Sequence, residues 1–168
     1  MAVVADTSPV VFLSKLEQLD PIPALFERPI LVPESVRDEI MGPHIDPVEK
    51  ATLEAFLTAC EIRRVTNPPP LSRALSVADR TAVALAVSEN VPLIADDRLL
   101  RRFAQAHGVA VIGTVGILLE AMRRRILEPN EIREFVDELV ERHGYRVRIE
   151  LYREMLATIE RYEQGDKQ

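Results

Sequence analysis

Carboxylates stand where predicted strands end, and carboxylates at such places can bind a divalent cation. Asp6 follows the apolar run 2–5, and the pair Asp96-Asp97 follows the apolar run 91–95. Because the carboxyl ends of parallel strands meet at one edge of an α/β sheet, where such sheets bind ligands, these acids are expected to share that edge. Carboxylates brought together repel one another unless a cation lies between them. Hard oxygen donors of this kind suit Mg²⁺ or Mn²⁺.

Two further acids, Glu39 and Asp79, lie on predicted helices and extend this set. Glu39 lies in the helix 34–41, and Asp79 lies in the first turn of the very apolar helix 76–89. Each acid also has a purely structural interpretation. Ser76 and Asp79 fit a capping box, Glu39 fits a solvated helix face, Asp6 fits a turn, and Asp96-Asp97 fits a helix cap. The residues by themselves predict an acidic, metal-binding edge of an α/β domain.

The elements that position these acids alternate between short apolar runs and amphipathic helices. The runs predict strands at 2–5, 29–33, 62–65, 91–95 and 109–112. This alternation predicts a three-layer α/β/α fold with a mostly parallel central sheet. Ser8 is expected to cap a first helix over 10–19, with Pro9 at its first position. We expect one domain over 1–163, with a helical extension from 129 and a disordered tail over 164–168.

Composition narrows the class of protein. A chain of 168 residues with 47% apolar residues is expected to form one globular domain with a sizeable core. The sequence has no membrane-length apolar run, no leader and a lone cysteine, Cys60, so a cytoplasmic location is expected. The net charge of −6 argues against nucleic-acid binding over the whole surface, but it leaves room for a local basic patch.

A basic helix face begins directly after Asp97. Arg98, Arg101 and Arg102 follow it at helical spacing. A phosphate backbone could cross this face and reach the acidic edge. The alternative is a solvated face whose arginines pair with nearby acids.

Taken together, the motifs resemble PIN-domain proteins, in particular the prokaryotic predicted nucleic-acid-binding ones and VapC-type toxins. The segments that carry the resemblance are 3–8, 32–40, 78–86, 93–98, 113–118 and 144–156. They occur in the family's order and span nearly the whole chain. Two departures are visible. Ala78-Asp79 stands where the subgroup commonly has Gly-Glu, and the doubled Asp96-Asp97 leaves the fourth acid open.

The resemblance implies a nuclease fold and an endoribonuclease that needs Mg²⁺ or Mn²⁺ to cut single-stranded RNA. By position, the catalytic acids it implies are Asp6, Glu39, Asp79 and Asp97, and the metal ligands are Asp6, Asp79, Asp97 and Asp96. Asp97 is preferred over Asp96 for its spacing from Asp79. The residues expected to contact RNA are Ser8, Arg98, Arg101 and Arg102.

The resemblance also implies the toxin of a toxin–antitoxin pair, with an antitoxin protein as partner and a homodimer as the assembly. A membrane is not expected as a partner. The alternative is a catalytically silent PIN-like module that binds nucleic acid or protein without cutting it.

Overall fold

The computed structural model describes residues 2–26, 29–43, 45–66 and 74–165. The chain divides into two compact units, Met1–Thr114 and Val115–Gln168. The first unit contains the sheet and the second is helical. Of the tail predicted at 164–168, residues 166–168 lie outside the described residues, and the last helix continues to Gly165.

The sheet of the first unit is entirely parallel, which confirms the predicted class of fold. Its strands, in chain order, are β1 (Val3–Ala5), β2 (Ile30–Pro33), β3 (Glu61–Arg63), β4 (Leu93–Ile94) and β5 (Val111–Ile112). Their order across the sheet is β3-β2-β1-β4-β5. β4 and β5 are shorter than the apolar runs that predicted them.

Helices connect the parallel strands, because a parallel pair cannot be joined by a tight turn. The helices of this unit are α1 (Thr7–Lys15), α2 (Pro21–Leu25), α3 (Glu34–Ile40), α4 (Pro47–Thr58), α5 (Val77–Glu89) and α6 (Arg98–Ala106). Asp46 caps α4 by accepting a 2.9 Å bond from the backbone N–H of Val48. The predicted capping box of Ser76 and Asp79 is present at the start of α5.

β1 is the central strand, and its sequence explains why. Val3, Val4 and Ala5 are fully buried, as expected for an apolar strand with helices on both faces. In register, Val4 pairs with Leu31 of β2 on one side and Leu93 of β4 on the other. The chain therefore builds one half of the sheet from β1 outward and then returns to add β4 on the opposite side of β1. The carboxyl ends of β1 and β4 flank the switch point, where open α/β sheets bind ligands.

The predicted cap of α1 is wrong. The helix begins at Thr7, so the residue at the cap position is Asp6, whose side chain makes no capping bond. Ser8 and Pro9 lie inside the first turn instead. Because the first N–H groups of a helix have no partner within the helix, Pro9 is tolerated at this later position.

The second unit contains the helices α7 (Thr114–Arg123), α8 (Pro129–Arg142) and α9 (Ile149–Gly165). Thr114, the first residue of α7, is also the last residue of the first unit. Arg133 on α8 forms two 3.1 Å bonds with the carboxylate of Glu163 on α9. The hydroxyl of Tyr152 donates a 3.0 Å bond to Asp137. Among the described helices, none combines the length and apolar character needed to cross a membrane.

Candidate functional site

Asp6 lies directly after β1 and is only 2% exposed. Its Oδ1 atom has no hydrogen-bond partner within the described part of the chain. Burial, and next the negative charge of Asp79, raise the pKa of Asp6 from its ordinary 3.8 to about 7. A bond from the Thr7 backbone lowers the pKa, and the charges of Glu39 and Asp96 raise it. The molecule thus holds a buried acid in a negative field with one oxygen unused.

Glu39 lies on α3, which β2 delivers to the same edge of the sheet. Its side chain is exposed, and its Oε2 atom accepts a 2.9 Å hydrogen bond from the Thr7 hydroxyl. Thr7 is the residue after Asp6, so the first acid and the helical acid are connected through one side chain. The hydroxyl restricts the directions that the exposed carboxylate can take.

Asp79 reaches the edge from the start of α5. Its Oδ2 atom accepts a 2.8 Å bond from the backbone N–H of Ser76, and its own N–H donates a 3.0 Å bond to the Ser76 hydroxyl. Asp79 is nevertheless the strongest of the charges that raise the pKa of Asp6. The capping interpretation of Asp79 is therefore confirmed, and the same carboxylate also belongs to the acidic edge.

Asp96 and Asp97 are separated by the structure despite being adjacent in sequence. Both carboxylate oxygens of Asp96 accept bonds from Thr114, and its charge acts on Asp6. Asp97 is exposed and caps α6, accepting a 2.8 Å bond from the backbone N–H of Leu100. Its charge is not among those that raise the pKa of Asp6. The structure therefore brings Asp6, Glu39, Asp79 and Asp96 together and places Asp97 at the start of a helix.

The residues predicted to contact RNA occupy different environments. Arg98 and Arg102 are exposed on α6, and Ser8 is half-buried in the first turn of α1. Arg101 is half-buried, and its Nη1 atom donates a 3.0 Å bond to the carbonyl oxygen of Ala95. Arg101 thus has a structural contact at the end of β4, whereas Arg98 and Arg102 present their charge to solvent.

Sequence reasoning did not identify Thr114 as part of this edge. Thr114 is fully buried and is separated by one residue from the end of β5, just as Asp96 is separated by one residue from the end of β4. The one indication in the sequence was that a polar residue stands near the end of a predicted apolar strand, where α/β sheets place their sites. A threonine there is also a common helix start, which is why the indication was not specific.

The oxygen donors at this edge suit a hard divalent cation, because a buried, unpartnered carboxylate oxygen in a negative field is stabilised by positive charge. Asp79 and Asp96 are already bound to groups of their own chain. Among the residues that the structure describes, no group of three or more His, Cys, Asp or Glu side chains is arranged to hold a metal ion. The donors around Asp6 are thus of the chemical kind that binds a cation, but the described residues do not present them as a ready-made set of ligands.

The strand order and the acids at its switch point define an all-parallel α/β domain with an acidic edge. The chain belongs to the PIN-domain family: the family DUF3368, described as a PIN domain, matches residues 2–161. The PIN domain is a nuclease-type fold, and proteins of this family generally are nucleases that use divalent metal ions.

A solved structure shows the same fold. The chain is similar to a PilT N-terminus domain protein, SSO1118, from the hyperthermophilic archaeon Sulfolobus solfataricus P2. The two are 20% identical, with a TM-score of 0.54 over 73% of this chain and 94% of the archaeal one. No curated protein matches the sequence.

Proposed function

We propose that this protein is a divalent-metal-dependent endoribonuclease that cleaves single-stranded RNA. The observation that carries the proposal is Asp6, a buried acid with an unused oxygen, surrounded by further carboxylates at the switch point of the sheet. A fold gains nothing in stability from such an arrangement, because burying charge near like charge is unfavourable. A functional cation explains why the acids are there.

Asp6, Asp79 and Asp96 are the residues that would hold Mg²⁺ or Mn²⁺. Once bound, the ion would supply a water of lowered pKa and offset the charge of the scissile phosphate. Asp6 must lose its proton to serve as a ligand, and with a pKa of about 7 it can do so near neutral pH. Asp79 Oδ2 already accepts the Ser76 N–H, and its carboxylate has a second oxygen. One carboxylate would therefore serve both the cap of α5 and the ion.

In this proposal, Glu39 accepts a proton from the attacking water. It is exposed, so a water molecule can reach it, and the bond from Thr7 keeps its carboxylate beside Asp6. A proton acceptor must lie within hydrogen-bond reach of the water it activates. Arg98 and Arg102, on the exposed face of α6, would bind the phosphates that flank the cleavage site. Ser8 would contact the RNA near Asp6.

The resemblance to VapC-type toxins supports a more specific proposal, in which the protein acts in the cytoplasm on cellular RNA. In this proposal the chain forms a homodimer and an antitoxin protein holds it inactive. Light scattering on the purified chain tests the dimer. Co-expression with the products of neighbouring genes tests the antitoxin, which would suppress RNA cleavage.

The decisive experiment compares the parent protein with Asp6→Asn on a labelled single-stranded RNA in Mn²⁺. The parent should generate products that EDTA abolishes, and Asp6→Asn should be slower by at least about 100-fold. Asp46→Asn is the matched control, because Asp46 is an exposed helix cap of α4 and asparagine caps equally well. Cleavage by Asp6→Asn at the parent's rate would refute the assignment.

The alternative, a module that binds without cutting, is favoured by one observation. Asp79 is shorter than the glutamate common at this position and is engaged in its capping box. The same experiment separates the two functions. RNA that is retarded in a native gel but stays intact in Mn²⁺ identifies a binding module.

A further inference from the structure

The carboxylate of Asp96 is bound at both oxygens by a single residue. The backbone N–H of Thr114 donates a 2.9 Å bond to Oδ1, and the Thr114 hydroxyl donates a 2.6 Å bond to Oδ2. Thr114 is fully buried and Asp96 is half-buried, so the donor side of both bonds is shielded from water. Hydrogen bonds to an ionised group are stronger than those between neutral groups, and two together define the plane of the carboxylate.

The pairing of β4 with β5 brings these two residues together. Leu93 pairs with Val111 and Ile94 with Ile112, so the residues that follow the two strands emerge side by side. All of them belong to the first compact unit. Because the contact is fixed by the strand register, it does not depend on a flexible loop.

Gly113 makes this close approach feasible. A Cβ atom at Gly113 would lie 2.7 Å from Asp96 Oδ1 and 2.8 Å from Arg101 Nη1. Both distances are below normal contact, so any other residue would force one of these groups to move. The guanidinium of Arg101 is anchored by its bond to the carbonyl oxygen of Ala95. The glycine therefore gives the carboxylate and the guanidinium the space they occupy.

We propose that Gly113 and Thr114 are positioning residues that select Asp96, rather than the adjacent Asp97, as the acid of the site. The proposal rests on the proposed function, since it concerns the acid set that would hold the metal. Asp97 has a different task, because its carboxylate caps α6 through the N–H of Leu100. Two adjacent, chemically identical side chains are thus given separate roles by their hydrogen-bond donors.

The consequence is a pre-oriented ligand. Groups that bind and orient a metal ligand typically affect metal affinity 10–100-fold when they are replaced. Thr114 would act in this way on Asp96 without touching the ion or the RNA. Removal of its hydroxyl leaves the backbone N–H bond in place, so the carboxylate loses its fixed plane but not its charge.

The test compares Thr114→Val with Thr114→Ser in the full chain, with Mn²⁺ affinity measured by isothermal titration calorimetry and circular dichroism verifying the fold. Valine removes the hydroxyl at similar volume and should weaken Mn²⁺ binding by at least about tenfold. Serine keeps the hydroxyl and should restore affinity to within about threefold of the parent. Thr58→Val is a control for the same change on an exposed face of α4. Equal affinities of Thr114→Val and the parent would overturn the proposal.

A second pair of variants tests whether Asp96, rather than Asp97, is the acid of the site. Asp96→Asn should lose more Mn²⁺ affinity than Asp97→Asn, and the reverse order would contradict the selection of Asp96. If the parent binds no Mn²⁺, the proposed function fails while the positioning role can still be judged. A crystal structure of Thr114→Val then decides: a displaced Asp96 side chain supports the role, and an unmoved one refutes it.

Discussion

Replacement of Asp6 with asparagine is expected to stabilise the metal-free protein at neutral and alkaline pH. Burial and the neighbouring carboxylates raise the pKa of Asp6 to about 7 in the folded chain, against an ordinary value of 3.8. Between these two values the unfolded chain has released the proton and the folded chain still binds it. The free energy of unfolding therefore falls as the pH rises from about 4 to 7, and it levels off above 7.

The size of the effect follows from the difference in pKa. One pKa unit corresponds to about 1.4 kcal/mol, so the roughly three units at Asp6 correspond to about 4 kcal/mol at the plateau. Integrated from pH 5 to pH 8, the loss is about 3 kcal/mol. An asparagine cannot ionise, so the variant lacks this loss. It also retains an oxygen and a similar volume in the buried site.

The assay is urea unfolding of the parent and Asp6→Asn in EDTA at intervals from pH 5 to pH 8.5. The difference between the two free energies of unfolding cancels every contribution that the two proteins share. That difference should grow in favour of Asp6→Asn as the pH rises. Asp46→Asn, an exposed cap on α4, should show no such trend. Parallel pH profiles for the parent and Asp6→Asn would refute the reasoning.

Further predictions concern the cation and the groups around it. Mn²⁺ at 100 times its Kd should raise the parent's unfolding free energy by about 2.7 kcal/mol at pH 8; calorimetric melting should show no comparable gain in Asp6→Asn. Gly113→Ala should lower the urea-derived unfolding free energy by about 1–3 kcal/mol, because the new Cβ meets Asp96 and Arg101. An unchanged unfolding free energy would mean that the Asp96 and Arg101 side chains can move away from the new Cβ at little cost. Ser76→Ala should cost about 1 kcal/mol without metal by removing the α5 cap, measured by the same unfolding titration.

The central strand and the capping box could be predicted because each is determined by neighbouring residues. Val3 and Val4 read as buried strand, and Ser76 with Asp79 forms a cap across three residues. The parallel class of sheet followed from the alternation of strands and helices. The strand order did not follow from it, because the placement of β4 beside β1 depends on contacts between distant parts of the chain.

The different hydrogen-bond partners of Asp96 and Asp97 could not be predicted from the sequence for a related reason. Both have the same side chain, and their spacing from Asp79 differs by one residue. What separates them is Thr114, which is 18 positions further along the chain. Arg101 is similar: the helical pattern shows a basic face, while its bond to the Ala95 carbonyl depends on how α6 packs against the end of β4.

β1 has a hydrogen-bonded neighbour on each side, and this has a consequence for isotope exchange. The amides of the buried residues Val4 and Asp6 donate to the carbonyl oxygens of Pro92 and Ile94 across the β1–β4 pair. Such amides take up deuterium only when the whole unit opens, so their exchange rate measures global stability. A proton taken up by Asp6, or the proposed cation, would therefore change deuterium uptake in the peptide spanning residues 3–6 through its effect on stability, and mass spectrometry of that peptide would measure the change.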